Sequence, residues 1–221
     1  MDFLKKFLDY FLHLDDNLKI IIENYGPWTY GILFLIIFVE TGLIVMPFLP
    51  GDSLLFVAGS FAAAGSLNIG ILILLLIIAA ILGDNTNYFI GKYLGGKAKN
   101  ITIRGRTLVN PKYMEKTEKF YEKYGVKTII LARFVPIVRT FAPFVAGVSR
   151  MKYSTFLPYD VLGGVLWVGI ATLAGYAFGR NPFVKDHFEL VLIGIILISI
   201  LPIIVGVIRN KMKPVEKVNT P

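Results

Sequence analysis

"ETGLIVMPFLPGD", residues 40–52, sets two carboxylates, two prolines and a Gly-Asp turn inside a run apolar enough to enter a lipid bilayer. A lone charged side chain at the bilayer centre costs roughly 2.5–3.5 kcal/mol on insertion scales, so Glu40 and Asp52 need partners or water. Pro47 and Pro50 remove backbone donors, and Gly51 permits a turn. Residues 28–64 are therefore expected to enter the membrane and return as a helical hairpin broken at "PFLPGD", rather than to cross it as one straight helix.

The rest of the chain sets this hairpin in a membrane protein. Of 221 residues, 55% are hydrophobic and 17% charged, against roughly 25% charged in soluble domains, and the mean hydropathy is +0.66. Residues 67–91, 154–179 and 188–208 are long apolar stretches expected to span the bilayer. Residues 1–26 are expected to form an amphipathic helix lying in the interface: Phe3, Leu4, Phe7, Leu8, Phe11 and Leu12 share a face. Lys5 and Lys6 are followed by Asp9, Asp15 and Asp16 rather than by the apolar core of a secretory signal. With no cysteine, disulfides and thiolate metal sites are excluded.

Residues 92–127 carry ten Lys or Arg against three Glu, a basic loop expected on the cytoplasmic side. Within it, "NPKYMEKTEKFYEKYG" reads as a short helix with Asn110 at its N-cap, Pro111 in its first turn and Gly125 at its stop. Tyr113, Phe120, Tyr121 and Tyr124 are expected to seat it on the inner leaflet. The tail, 209–221, is basic as well, which places the C-terminus in the cytoplasm. The net charge of +8 is assigned to such loops and to anionic headgroups, not to nucleic acid.

A second broken apolar segment, 128–148, carries Arg133 and Arg139 and is interrupted by Pro136 and Pro143. "FVAG" stands at 56–59 and again at 144–147, and the same offset of 88 pairs Ser66 with Ser154, Leu74 with Leu162, Tyr88 with Tyr176 and Gly91 with Gly179. Each unit is a hairpin, which returns to its own side, plus one span, which changes side, so the second unit enters from the opposite face. The expected architecture is all-α: an inverted repeat of re-entrant hairpin plus transmembrane helix over 27–208, the plan of many secondary transporters.

Two carboxylates on one hairpin and two guanidiniums on the other are expected to meet, Glu40 and Asp52 neutralising Arg133 and Arg139. Arginine's planar fork suits a phosphate, and a titrating carboxylate could trade arginine with a substrate and so couple movement to protons. Asp84 and Asp160 are secondary candidates, Asp84 at the end of a span and Asp160 about two turns into one. Trp28 reads as an interfacial anchor and Trp167 as packing. His13 and His187 have no second ligand at metal spacing, so neither a metal nor a cofactor is expected. No nucleophile elbow, Walker loop or HExxH occurs, so the expectation is not an enzyme.

At "ETGLIVMPFLPGDSLLFVAG", "GDNTNYFIGKYLG", "FYEKYGVKTIILARFVPIVRTFAPFVAG" and "DVLGGVLW" the chain resembles the bacterial DedA family, which shares the SNARE-associated or VTT domain, and within it the DedA subgroup. The resemblance covers residues 28–208. It implies opposed re-entrant hairpins, transport of a membrane lipid such as undecaprenyl phosphate or a phospholipid, and dependence on the proton-motive force. It carries functional roles onto Glu40, Asp52, Arg133 and Arg139. The departure is Asp160, where the family pattern implies asparagine. The partners expected are thus membrane lipids with an anionic headgroup and protons in the bacterial inner membrane, with a homo-oligomer left open. A proton-driven ion or drug antiporter would need the same carboxylates and stands as the alternative.

Overall fold

The computed structural model describes residues 14–43, 51–98, 102–103, 106–107, 111–179 and 181. His13, Pro47, Pro50, Asn110, His187, the span expected at 188–208 and the basic tail lie outside them. The described helices are α1 (Leu14–Tyr25), α2 (Trp28–Gly42), α3 (Gly51–Ala63), α4 (Ile69–Ala98), α5 (Pro111–Tyr124), α6 (Thr128–Ala132), α7 (Pro136–Val148) and α8 (Tyr153–Phe178). A 3-10 turn, Gly125–Lys127, joins α5 to α6. A two-residue antiparallel pair, β1 (Thr102–Ile103) with β2 (Arg106–Thr107), lies in the basic loop.

Local chemistry explains several boundaries. Asn68 caps α4: its Oδ1 accepts the N–H groups of Gly70 at 3.0 Å and Ile71 at 3.1 Å, two donors the first turn would otherwise leave unpaired. The helix then runs through "GDNTNYFIGKYLGG" to Ala98, beyond the end expected for this span. Gly125, at φ +57°, ends α5, because that left-handed conformation costs glycine nothing.

Helices of 26 residues, Ile69–Leu94 and Tyr153–Phe178, are long and apolar enough to cross a membrane. On α4, Ile71, Leu74, Ile78 and Leu82 are exposed, and on α8 Leu162, Leu166, Ile170 and Leu173. Large aliphatic side chains turned outward at helical spacing suit lipid, not water. The inner faces build the core, where Leu33 and Ile37 of α2, Leu55 and Val57 of α3, Leu72 and Leu76 of α4, and Val168 of α8 are buried together. Leu18 of α1 joins them, so this part of the N-terminal helix is docked on protein.

The packing partners differ from those a simple hairpin would give. The two arms α2 and α3 touch only slightly; α2 lies along α4, and α3 along α8, while α7 lies along α4. Glycines make both long crossings close. A Cβ at Gly175 of α8 would stand 1.9 Å from the Phe56 carbonyl oxygen of α3, and one at Gly147 of α7 2.1 Å from the Tyr88 carbonyl oxygen of α4. Small residues at such crossings let backbones approach and gain contact where the hydrophobic effect between helices is weak. Gly175→Ala is therefore expected to lower thermal stability in detergent by an overpacking cost of about 1–3 kcal/mol. Gly169→Ala, which meets nothing within 4 Å, is the control and should melt like the parent.

Two proline assignments change. Pro136 does open α7, after a bend at Arg133–Val135. Pro143 does not break anything: it sits inside α7, whose neighbours on α4 and α5 hold the helix despite the missing donor. The loop helix α5 also rests on protein. Met114 packs against Phe141, Phe144 and Val145 of α7, and the Tyr121 hydroxyl donates to the Ala142 carbonyl oxygen at 3.0 Å.

Candidate functional site

Four carboxylates and two guanidiniums gather in the interior, and they sort into two clusters. In the first, the Arg139 fork from α7 reaches both sides of the α2–α3 break. Its Nη2 donates to Glu40 Oε1 and its Nη1 to Asp52 Oδ1 at 2.8 Å. Asp52 also accepts the Trp167 indole N–H at 2.7 Å, and the Trp167 ring lies 4.9 Å from the guanidinium carbon. Such a ring face attracts a cation while the N–H end fixes the carboxylate.

The helix termini shape this cluster. Asp52 lies in the first turn of α3, where the helix dipole favours negative charge. Glu40 lies in the last turn of α2, where the dipole opposes it, and so depends on Arg139. Gly51 begins α3, and a Cβ there would stand 2.0 Å from Glu40 Oε2. Only a residue without a side chain lets the Glu40 carboxylate sit against the start of α3. The Glu40 side chain is 4% exposed, Arg139 11% and Asp52 30%, so Asp52 is the open edge of the cluster.

The second cluster is closed. Arg133, in the bend between α6 and α7, donates from Nη2 to Asp84 Oδ2 of α4 at 2.5 Å and to Asp160 Oδ1 of α8 at 2.6 Å. The same nitrogen reaches the Asp160 backbone carbonyl at 3.2 Å. The guanidinium runs past Gly163, where a Cβ would lie 2.9 Å from Nε. Asp160 has no exposed surface. Between the clusters, Asn87 Nδ2 donates to the Thr41 carbonyl at 3.2 Å and the Thr140 carbonyl at 2.7 Å, tying α4 to both α2 and α7.

Comparison with known proteins decides the family. The VTT domain matches residues 49–177. Protein DedA of Escherichia coli (strain K12) is 51% identical over 213 residues, which is 96% of each chain. The chain belongs to the DedA family of VTT-domain membrane proteins. Further relatives in that family are an uncharacterized membrane protein of Mycobacterium tuberculosis (strain H37Rv), 46% identical over 81% of this chain and 78% of its own, and the inner membrane protein YghB of E. coli K12, 33% identical over 85% of each. No solved structure matches.

Set against the sequence, Arg139 stands with both expected carboxylates, but Arg133 does not. It takes Asp84 and Asp160, because the bend before α7 points it towards α4 and α8 rather than towards the α2–α3 break. Asp84 is not at the end of a span either; it lies midway along α4. Trp167, expected as packing, holds Asp52. Asn87 was missed outright, and its position one helical turn after Gly83-Asp84 was the available signal. Among the described residues, no group of three or more His, Cys, Asp or Glu is placed to hold a metal ion.

Proposed function

We propose that the protein is a membrane lipid transporter, which moves an anionic headgroup (undecaprenyl phosphate or a phospholipid) across the bacterial inner membrane with the proton-motive force. The observation that carries this is the open Arg139 cluster. Its two terminal nitrogens, each now on a separate carboxylate, are the pair a phosphate could take together, and its more exposed carboxylate, Asp52, can be displaced first from Nη1 by an arriving headgroup. Trp167, whose ring lies against the guanidinium, would keep it oriented during that exchange. The lipid tail would remain against the outward apolar faces of α4 and α8.

The inverted repeat belongs to the same reading. Phe56 and Phe144, 88 residues apart, each lay a carbonyl oxygen on a glycine of the other unit's long helix, Gly175 and Gly91 respectively. Phe56 and Phe144, related by the sequence offset, thus sit at matching crossings, which supports two opposed units.

Purified protein in liposomes, with a labelled undecaprenyl phosphate or phospholipid accessible in one leaflet, tests the reading. Faster leaflet exchange than in empty liposomes, and faster again under an imposed proton gradient, is the expected result. Proton flux that follows an added cation or drug and ignores lipid identity would replace the lipid reading with an antiporter.

A further inference from the structure

The Arg133 cluster has more negative charge than it can balance. One guanidinium nitrogen serves two carboxylates, Asp84 and Asp160, so their oxygens lie within two hydrogen bonds of one another. Asp160 Oδ2 and Arg133 Nε are buried with no partner. Arg133 and Asp84 are nearly as enclosed as Asp160, with side chains 5% and 7% exposed. Like charges this close in a dry site do not both persist; one carboxyl takes a proton instead.

The charged and titratable neighbours do not relieve the imbalance. Arg139 on α7 is the next cation, and it is engaged by Glu40 and Asp52. Tyr121 on α5 feels both aspartates; burial first, and then their charges, push its phenol well above its usual range, so it stays a neutral donor, bonded to Ala142. Asn85 and Asn87 on α4 carry no charge. Asp52 in the other cluster differs: it accepts two donors and faces partly outward.

We propose that Asp84 and Asp160 form a proton-binding site in which the two carboxyls share one exchangeable proton against Arg133. With it the cluster is neutral, one cation against one carboxylate and one carboxylic acid; without it the cluster carries a net negative charge. The free Asp160 Oδ2 is the atom able to take the proton or donate it across to Asp84. Gain and loss of this proton would change how tightly the bend before α7, and through it Arg139, is held to α4 and α8. That coupling step rests on the lipid-transport reading; the proton site itself does not, and it moves the proton from Glu40 and Asp52, where the sequence placed it, to the inner pair.

Infrared difference spectra of the reconstituted full-length protein test the site without any transport measurement. At neutral pH the parent should show a protonated-carboxyl stretch that shifts in D2O and shifts again when aspartate is 13C-labelled. The band should vanish in Asp84→Asn and in Asp160→Asn, since each leaves one carboxylate for one guanidinium, and it should persist in Glu40→Gln. The aspartate labelling needs no variant, so a poorly folding mutant does not block the test. No such band, a band unmoved by aspartate labelling, a band lost only in Asp52→Asn, or a band removed by sodium at constant pH would each overturn the proposal. Lipid exchange without the band would sink the proton site alone; the band without lipid exchange would sink the transport reading alone.

Discussion

Arg139→Lys is expected to slow lipid transfer in liposomes by about ten- to a hundredfold while the protein still folds. Lysine keeps the positive charge that Glu40 and Asp52 need, so the interior is not left with two uncompensated carboxylates. What it loses is the fork. Arg139 assigns one nitrogen to each carboxylate, on opposite sides of the α2–α3 break, and the same two nitrogens suit one phosphate. An ammonium offers one nitrogen and no plane for the Trp167 ring to stack on. Hydrogen bonds to charged groups contribute about 1.5–3 kcal/mol each, and about 1.4 kcal/mol is a factor of ten, which sets the expected range. Transfer rates normalised to folded protein by size-exclusion chromatography check it. A lysine variant working at the parental rate would show that the headgroup is not held by the guanidinium.

How the charges pair was only half legible in the sequence. That Glu40, Asp52, Arg133 and Arg139 must find partners follows from the cost of burying charge, which needs no knowledge of the fold. Which carboxylate meets which arginine depends on helix directions that residue order does not encode. Arg139 bonds residues 99 and 87 positions away, and Arg133 residues 49 and 27 positions away. The bend at Arg133–Val135 turns two arginines six residues apart towards different helices, and no periodicity announces that. Asp84 follows a glycine in a polar run, "GDNTN", that resembles a helix end; in the fold this run lies within a continuous α4, with Asp84 and Asn87 turned inward. By residue type Pro143 reads as a break. Tertiary context decides otherwise: the packed neighbours of α7 carry the helix past it. The membrane class was readable because composition survives without coordinates.

Arg133→Leu should cost more than any other single change, with folded protein falling sharply in yield on detergent size-exclusion. It strips the one cation from Asp84 and Asp160, and breaking a buried ion pair from one side costs about 3–5 kcal/mol, a large part of a typical domain's stability. The partial escape is for both carboxyls to bind protons, so the loss should be worse at alkaline pH than at acidic pH. Adding Asp84→Asn and Asp160→Asn to Arg133→Leu should restore much of the yield, because a neutral buried group of similar volume does not need a counter-charge. That triple variant divides two roles the cluster could have. If the cluster only pins α4 and α8 to the bend, the rescued protein will transfer lipid as the parent does, with and without a proton gradient. If the shared proton drives the cycle, the rescued protein will keep an intact Arg139 site and still exchange lipid passively, yet gain nothing from the gradient. The second outcome is the expected one, since selection for stability alone would have filled this space with apolar side chains rather than with three ionisable ones.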